Sequence, residues 1–362
     1  QIRRIGVLTG GGDCPGLNAV IRGITKTAIN DFGLEVFGFL DGFKGLVENN
    51  FINLDIKRVS GIGHTGGTIL GTTNRDNPFH FIKDVTRPEE YSDESDRAIN
   101  NLNSLGIDGL IIIGGDGSLH IADLFANKGV KVVGVPKTID NDLSATDVTF
   151  GFNTAVDTAS QALDRLHTTA ESHHRVMVLE VMGRYAGWIA LYAGVSGGAD
   201  VILIPEIPFD INYINNKIQQ RYHEDKKFSI IVIAEGATPR GGEMVVQKFV
   251  PSSHDPVRLG GIGNNLGEEI EKLTGIETRV TVLGHLQRGG SPIPYDRILS
   301  TRYGVGAVQA FMEEKFGTMV SLKGVNIVTV PIKEAVENLK KVDPDSQIVQ
   351  AARALGISFG DK

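Results

Sequence analysis

The residues of this chain best suited to chemistry come in short clusters, each directly after an apolar, β-like run. Thr9-Gly10-Gly11-Gly12-Asp13-Cys14-Pro15-Gly16 follows Ile5-Gly6-Val7-Leu8 and opens a helical pattern. Glycines let a backbone approach a phosphate, and a helix N-terminus offers free N–H groups and the positive end of its dipole. No Gly-Lys-Ser/Thr follows, so this is not a Walker loop, and the same run would also serve as a plain βα turn. Gly114-Gly115-Asp116-Gly117-Ser118 follows Leu110-Ile111-Ile112-Ile113. An aspartate beside glycines at a strand end suits a Mg²⁺ ion while the backbone cradles phosphates. The structural alternative for Asp116 is an N-cap of the next helix. Pro136-Lys137-Thr138-Ile139-Asp140-Asn141-Asp142 follows the run Val132 to Val135. Two carboxylates two residues apart suit a general base with a second group near a metal. Such a base takes the proton of an acceptor hydroxyl as a phosphoryl bond forms, and Thr138 is placed to hydrogen-bond the same acceptor. The bland reading is Asx-turn chemistry in a loop.

Arginines complete the set. Arg175 and Arg279 begin β-like runs, Arg184 follows Met182-Gly183, and Arg288 lies within His285-Leu286-Gln287-Arg288-Gly289-Gly290-Ser291-Pro292. A planar guanidinium matches phosphate geometry. A lone arginine is more often a solvated surface group, but several at strand ends supply a local positive field that the net charge of −7 lacks. Other residues read as structural. His173-His174 marks a helix end, since adjacent side chains diverge; Cys14 fills space; His80, His120 and His254 show no ligand spacing; Trp188 belongs to a helix face or the core.

The elements that must position these clusters are legible in the apolar pattern. Runs at Ile5–Leu8, Leu110–Ile113, Val132–Val135, Val176–Val181, Val201–Ile204, Ile230–Ile233 and Val280–Leu283 alternate with amphipathic segments. Those segments are Leu17–Asn30, Asp93–Leu105, Ala155–Ser172, Ile211–Tyr222, Leu266–Leu273 and Arg297–Lys315. This alternation predicts an α/β protein of two lobes, each a mostly parallel sheet sandwiched by helices, with ligands in the cleft beyond the strands' carboxyl ends. A length of 362 residues fits two lobes. We expect one at 1–150, a second at 151–290, and a segment 291–362 packing back across both. Thr86–Asp96 reads as an exposed, charged linker.

Composition narrows the class. Hydrophobic residues at 41% and charged residues at 22% give a globular chain with a sizeable core. The 45 glycines cluster locally and prolines number 13, which speaks against disorder. The acidic balance argues against nucleic acid as a partner. The longest apolar runs fall far short of the roughly 18 residues of a membrane span. A single cysteine, Cys14, allows no internal disulfide and fits a reducing compartment, so a cytoplasmic enzyme without a secretory leader is expected.

The Gly114–Ser118 cluster alone resembles stretches of NAD kinases and lipid kinases, but the full series resembles the phosphofructokinase family. The series is Gly11-Gly12-Asp13 with Pro15-Gly16, Gly66-Gly67-Thr68 with Leu70-Gly71, Gly114 to Ser118, Thr138 to Asp142, Met182-Gly183-Arg184, Glu235, and His285 to Pro292 followed by Pro294-Tyr295-Asp296-Arg297. The resemblance implies phosphoryl transfer to the 1-hydroxyl of fructose 6-phosphate, with Asp140 as base, Asp116 on Mg²⁺ and Asp142 supporting the metal or transition state. Arg184 would stabilise the migrating phosphoryl group or contact the sugar. Gly11, Gly115, Gly117, Ser118, Lys137 and either Arg75 or Asn74 would meet the donor. Thr138, Met182, Gly183, Glu235, His285 and Arg288 would hold the sugar phosphate. Arg175 and Arg279 would complete the 6-phosphate pocket of a neighbouring subunit, which implies a homotetramer or a dimer.

The resemblance also bears on donor and regulation. Gly117 is the residue usual in ATP users, whereas pyrophosphate users often carry lysine where Lys137 stands. ATP is the expected donor and pyrophosphate the alternative. A non-catalytic regulatory paralogue would be expected to lose Asp116, Asp140 or Arg184, and all three are present. Around the family's effector pocket Arg22 is in place, while Lys26, His167 and Asp200 replace two arginines and a glutamate, with Lys226 or Lys227 as a further basic contact. An altered effector response is expected.

Overall fold

Apolar runs with no polar face need cover on both sides, and the computed structural model, which describes residues 2–249 and 257–362, shows what covers them. Parallel strands Arg4–Thr9, Gly109–Gly114 and Val132–Thr138 form the centre of an eight-stranded sheet. Glu35–Phe39 extends it in parallel on one side and Phe51–Leu54 ends it antiparallel. On the other side Thr318–Lys323 joins Val132–Thr138 in parallel and pairs antiparallel with Asn326–Pro331. A second sheet runs Val201–Leu203, Ser229–Ala234, Val176–Val181, Thr278–Val282, all parallel. Each sheet lies between helices, so the molecule is α/β with two lobes, each mostly parallel.

Every apolar run singled out in the sequence lies in or across a strand. The amphipathic segments become Leu17–Phe32, Ser95–Ser104, Phe152–His173, Ile211–His223, Ile262–Thr274 and Pro294–Met312. Helix Trp188–Ser196 escaped the periodicity because it is apolar nearly all round, as a helix buried within the molecule is. Thr86–Asp96 is largely exposed but is not a simple linker: Tyr91–Ser92 pairs with Phe81–Ile82, and Ser95 already starts a helix.

One apolar cluster runs from Val7 and Ile113 of the first sheet through Phe150, Phe152 and Leu163 to Leu179 and Ile204 of the second. The two lobes therefore share a core. Helix Pro294–Met312 lies against Leu17–Phe32, and glycines set their approach. A Cβ on Gly304 would fall 2.6 Å from the Val20 carbonyl oxygen, and one on Gly23 2.9 Å from that of Thr301. Among the described residues no helix is long and apolar enough to cross a membrane.

Candidate active site

A parallel strand delivers its carboxyl end to one edge of a sheet. Here the loops after Arg4–Thr9, Gly109–Gly114 and Val132–Thr138 of one lobe face those after Val176–Val181, Ser229–Ala234 and Thr278–Val282 of the other. They enclose a cleft of about 980 Å³. From the first lobe Gly11, Arg75, Gly115, Gly117, Ser118, Lys137, Thr138 and Asp140 line it. From the second come Met182, Arg184, Glu235, His285 and Arg288.

The glycine loops are fixed by backbone bonds. Gly10 N–H donates to the Ile113 carbonyl at 2.9 Å and Gly11 N–H to that of Thr73 at 3.1 Å. Gly11 sits at φ +79°, and a Cβ there would lie 3.3 Å from Lys137 Nζ. The Lys137 ammonium donates to the Gly12 carbonyl, and burial holds its pKa below the ordinary lysine range. A Cβ on Gly12 would reach 2.6 Å from Arg288 Nη1, so this loop of the first lobe closes on an arginine of the second. Asp116 is the first residue of helix Asp116–Asn127. Gly115 occupies the N-cap without a side-chain bond, so Asp116 is not the cap that its position also allowed.

The carboxylates sit deeper. Thr138 Oγ1 accepts the Asp140 N–H at 3.1 Å. Asp140 Oδ1 is sealed from solvent without a hydrogen-bond partner. Burial raises its pKa, while the charges of Arg288 and Lys137 pull it down. Asp142 does not line the cleft and is pushed up to about 7 by burial, then by the charges of Asp140 and Asp116. Glu235 is likewise pushed up to about 7, chiefly by burial and then by Asp140 and Glu180. Its loop is stitched to the arginine loop: Glu235 N–H donates to Val181 O at 2.9 Å and Gly236 N–H to Gly183 O at 3.1 Å. Arg184 Nη1 donates to Val257 O at 2.7 Å, with its guanidinium 4.9 Å from the Tyr185 ring centroid.

Some expected residues lie elsewhere. Gly183, Asp142 and the expected metal residue Asp116 are not among the residues that line the cleft, although each lies within two residues of one that does. Arg175 and Arg279 are at the amino ends of their strands, away from this chain's own cleft; both bond Glu277, Arg175 at 2.8 Å. At the effector-type positions Asp200 pairs with Arg221 at 2.7 Å, and His167 Nε2 meets the Gly197 carbonyl at 2.8 Å. Sequence reasoning also missed contributors. Gln247, Lys248 and Arg258, from the paired strands Val246–Phe249 and Val257–Leu259, line the cleft with no motif to mark them. His80 lines it too, stacked on Tyr91 at 3.6 Å between centroids. Buried Gln287 pins two motif loops together by accepting the Met182 N–H at 3.3 Å and donating to Gly284 O at 3.0 Å. His254 lies outside the described residues. Among those residues no three His, Cys, Asp or Glu side chains form a metal cage.

The sequence matches the family model described as Phosphofructokinase over residues 4–311. It is 56% identical over 362 residues to ATP-dependent 6-phosphofructokinase 2 of Clostridium perfringens, covering 99% of each chain. It is also 51% identical over 342 residues to the pyrophosphate–fructose 6-phosphate 1-phosphotransferase of Streptomyces coelicolor, covering 94% of this chain and 96% of that one. Among solved structures it resembles phosphofructokinase from Saccharomyces cerevisiae with a TM-score of 0.80 and 32% identity, over 99% of this chain and 47% of the yeast chain. A pyrophosphate-dependent phosphofructokinase from Marinobacter aquaeolei, 22% identical, covers 99% of this chain and 92% of that chain at a TM-score of 0.80 and shows the shared fold alone. A family model that spans most of the chain, and full-length relatives more than half identical to it, show that the chain belongs to the phosphofructokinase family.

Proposed function

We propose that this protein transfers a phosphoryl group from ATP to the 1-hydroxyl of fructose 6-phosphate, giving fructose 1,6-bisphosphate, with Mg²⁺. The observation that carries the reading is the place of Asp140, which lines the cleft between the phosphate-type glycines and the arginine loops. Asp140 takes the hydroxyl proton as the sugar oxygen attacks the donor's terminal phosphorus and the bond from that phosphorus to its bridging oxygen breaks, releasing ADP. Burial raises its pKa, which strengthens it as a base, and the charges of Arg288 and Lys137 partly offset that rise. Arg184, with its planar fork, stabilises charge on the transferring group. Thr138, Glu235, Met182, His285 and Arg288 hold the sugar phosphate.

Asp116 would hold the metal, which when bound neutralises charge on the donor phosphates. Mg²⁺ keeps several waters and takes only one or two carboxylates besides phosphates, so a single aspartate such as Asp116 can suffice for it. The charges of Asp140 and Asp116 both act on Asp142, so negative charge gathers on this side of the cleft, which a cation would offset. Two features support ATP: the residue between Asp116 and Ser118 is glycine, and the cleft continues past it to Phe43, Ile121 and His80, leaving room for more than two phosphates. Pyrophosphate remains the second reading because Lys137 occupies the floor and the Streptomyces relative carries that donor in its name. We assign residues 1–150 to the donor lobe, 151–290 to the sugar-phosphate lobe and 291–362 to a segment bridging them. The single buried thiol of Cys14 supports a reducing, cytoplasmic setting. The test is turnover of fructose 6-phosphate by purified protein with Mg²⁺ and either ATP or pyrophosphate. Turnover with ATP alone is expected; turnover with pyrophosphate alone overturns the donor, and turnover with neither overturns the reaction.

A further inference from the structure

The turn that carries Asp140 is unusual in its backbone. Asn141 adopts φ +53°, the left-handed region that asparagine tolerates better than most residues, and it is buried. Its Oδ1 accepts the Thr149 N–H at 3.1 Å and Lys340 Nζ at 3.1 Å. The ammonium of Lys340 also donates to Thr146 O at 3.0 Å and Asp147 O at 2.8 Å. An ammonium has three protons, and all of them are committed to the excursion between residues 141 and 147. The backbone agrees: Lys340 N–H donates to Asp142 O at 2.8 Å, Leu339 bridges Leu143, and Ser144 Oγ bonds the Asn338 carbonyl.

The other side of the same segment faces the second lobe. Lys340 O accepts the Trp188 indole N–H at 2.8 Å, and Lys340 Nζ lies 5.6 Å from the indole ring centroid. Val342 N–H donates to Glu206 Oε1 at 2.9 Å, which also accepts Gly187 N–H at 3.0 Å. Gly187 and Trp188 directly follow the loop of Met182, Gly183 and Arg184. Residues 338–342 therefore tie the Asp140 turn of one sheet to the Arg184 loop of the other.

We propose that Lys340, in the C-terminal segment and outside the cleft, is a positioning residue that fixes the Asp140-Asn141-Asp142 turn through Asn141 and sets it in register with the Arg184 loop. The proposal rests on the catalytic reading of Asp140. Burial lowers the pKa of Lys340 to about 8, while the charges of Asp147 and Asp142 act the other way and favour the ammonium that its three acceptors require. Displacing a reacting group by an ångström can reduce turnover about 100-fold without loss of binding. Lys340→Met is expected to lower kcat by about 10- to 100-fold with KM for sugar phosphate and donor within about threefold. Asn141→Gly keeps the left-handed turn accessible while removing the acceptor. It should show the same split, and Lys340→Met in that background should add less than about threefold. A kcat within twofold of wild type in either single variant, or costs that multiply in the double variant, overturns the proposal. Where Lys340→Met does not fold, Asn141→Gly alone decides on the same criterion. Wild-type protein inactive with both donors would instead sink the catalytic reading. Amide exchange over 138–149 then decides the positioning: faster exchange in Lys340→Met supports it, and unchanged exchange overturns it.

Discussion

Glu235 faces two opposed demands. Its carboxylate is wanted as an acceptor for a sugar hydroxyl, yet burial and the nearby charges of Asp140 and Glu180 push it up to about 7. In the unfolded chain the group titrates near its ordinary 4.5, so at low pH both states hold the proton and no penalty arises. As pH rises through 7, the folded, empty protein must carry a charge that its surroundings disfavour, at up to about 3 kcal/mol. Glu235→Gln should therefore stabilise the empty protein at pH 8 and leave it near wild type at pH 5, while raising KM for fructose 6-phosphate about 10-fold. Thermal melts of both proteins at the two pH values check this; equal stabilisation at both would show that the penalty does not come from this proton. Residues like Glu235, Asp140 and Arg184 were legible in the sequence because each follows a buried strand beside glycine or another polar group. Gln287 and Lys340 were not, because their partners lie 105 and 199 residues away and no local pattern encodes such contacts.

At the scale of elements, the central strands announced themselves because burial on both faces demands unbroken apolar runs. Asn326–Pro331 did not: it is an edge strand, and its residues alternate between exposed and half-buried. The packing of helix Pro294–Met312 on Leu17–Phe32 was equally silent in the sequence, since a glycine in a helix looks only like a weak helix former. In the structure Gly304 is the contact point, and what its Cβ would meet is backbone: Val20 O at 2.6 Å and Ile24 N at 3.0 Å. Backbone cannot rotate aside as a side chain does. Gly304→Ala is expected to destabilise by about 1–3 kcal/mol, read as a lower urea midpoint, with KM for both substrates unchanged because the crossing lies outside the cleft. An unaltered midpoint would mean that the two helices can separate freely, and that the segment after residue 291 is less firmly attached than its shared sheet implies.

At the scale of the whole molecule, the positions of Arg175 and Arg279 set the question. Both stand at the amino ends of adjacent strands, whereas the cleft lies at the carboxyl ends, roughly 20 Å away for strands of this length. One chain cannot bring them to its own cleft. Thr278–Val282 is the outer strand of its sheet, with Val282 and Leu286 exposed beside it, a face suited to a second copy. Their shared partner Glu277 holds the two guanidinium groups side by side, as a phosphate monoester would need them. If they serve a neighbour's sugar phosphate, Arg279→Ala should raise KM for fructose 6-phosphate roughly 30- to 100-fold. Asp140→Asn should abolish turnover with its arginines intact. At a fructose 6-phosphate concentration near the wild-type KM, where Arg279→Ala alone turns over only weakly, unfolding and refolding the two variants together should then recover roughly a quarter of wild-type activity, because half the clefts receive a working base and half of those a working arginine. Recovery at that level establishes a cleft shared between subunits. No recovery, with both variants refolding and assembling alone, assigns Arg175 and Arg279 to holding their own lobe together through Glu277.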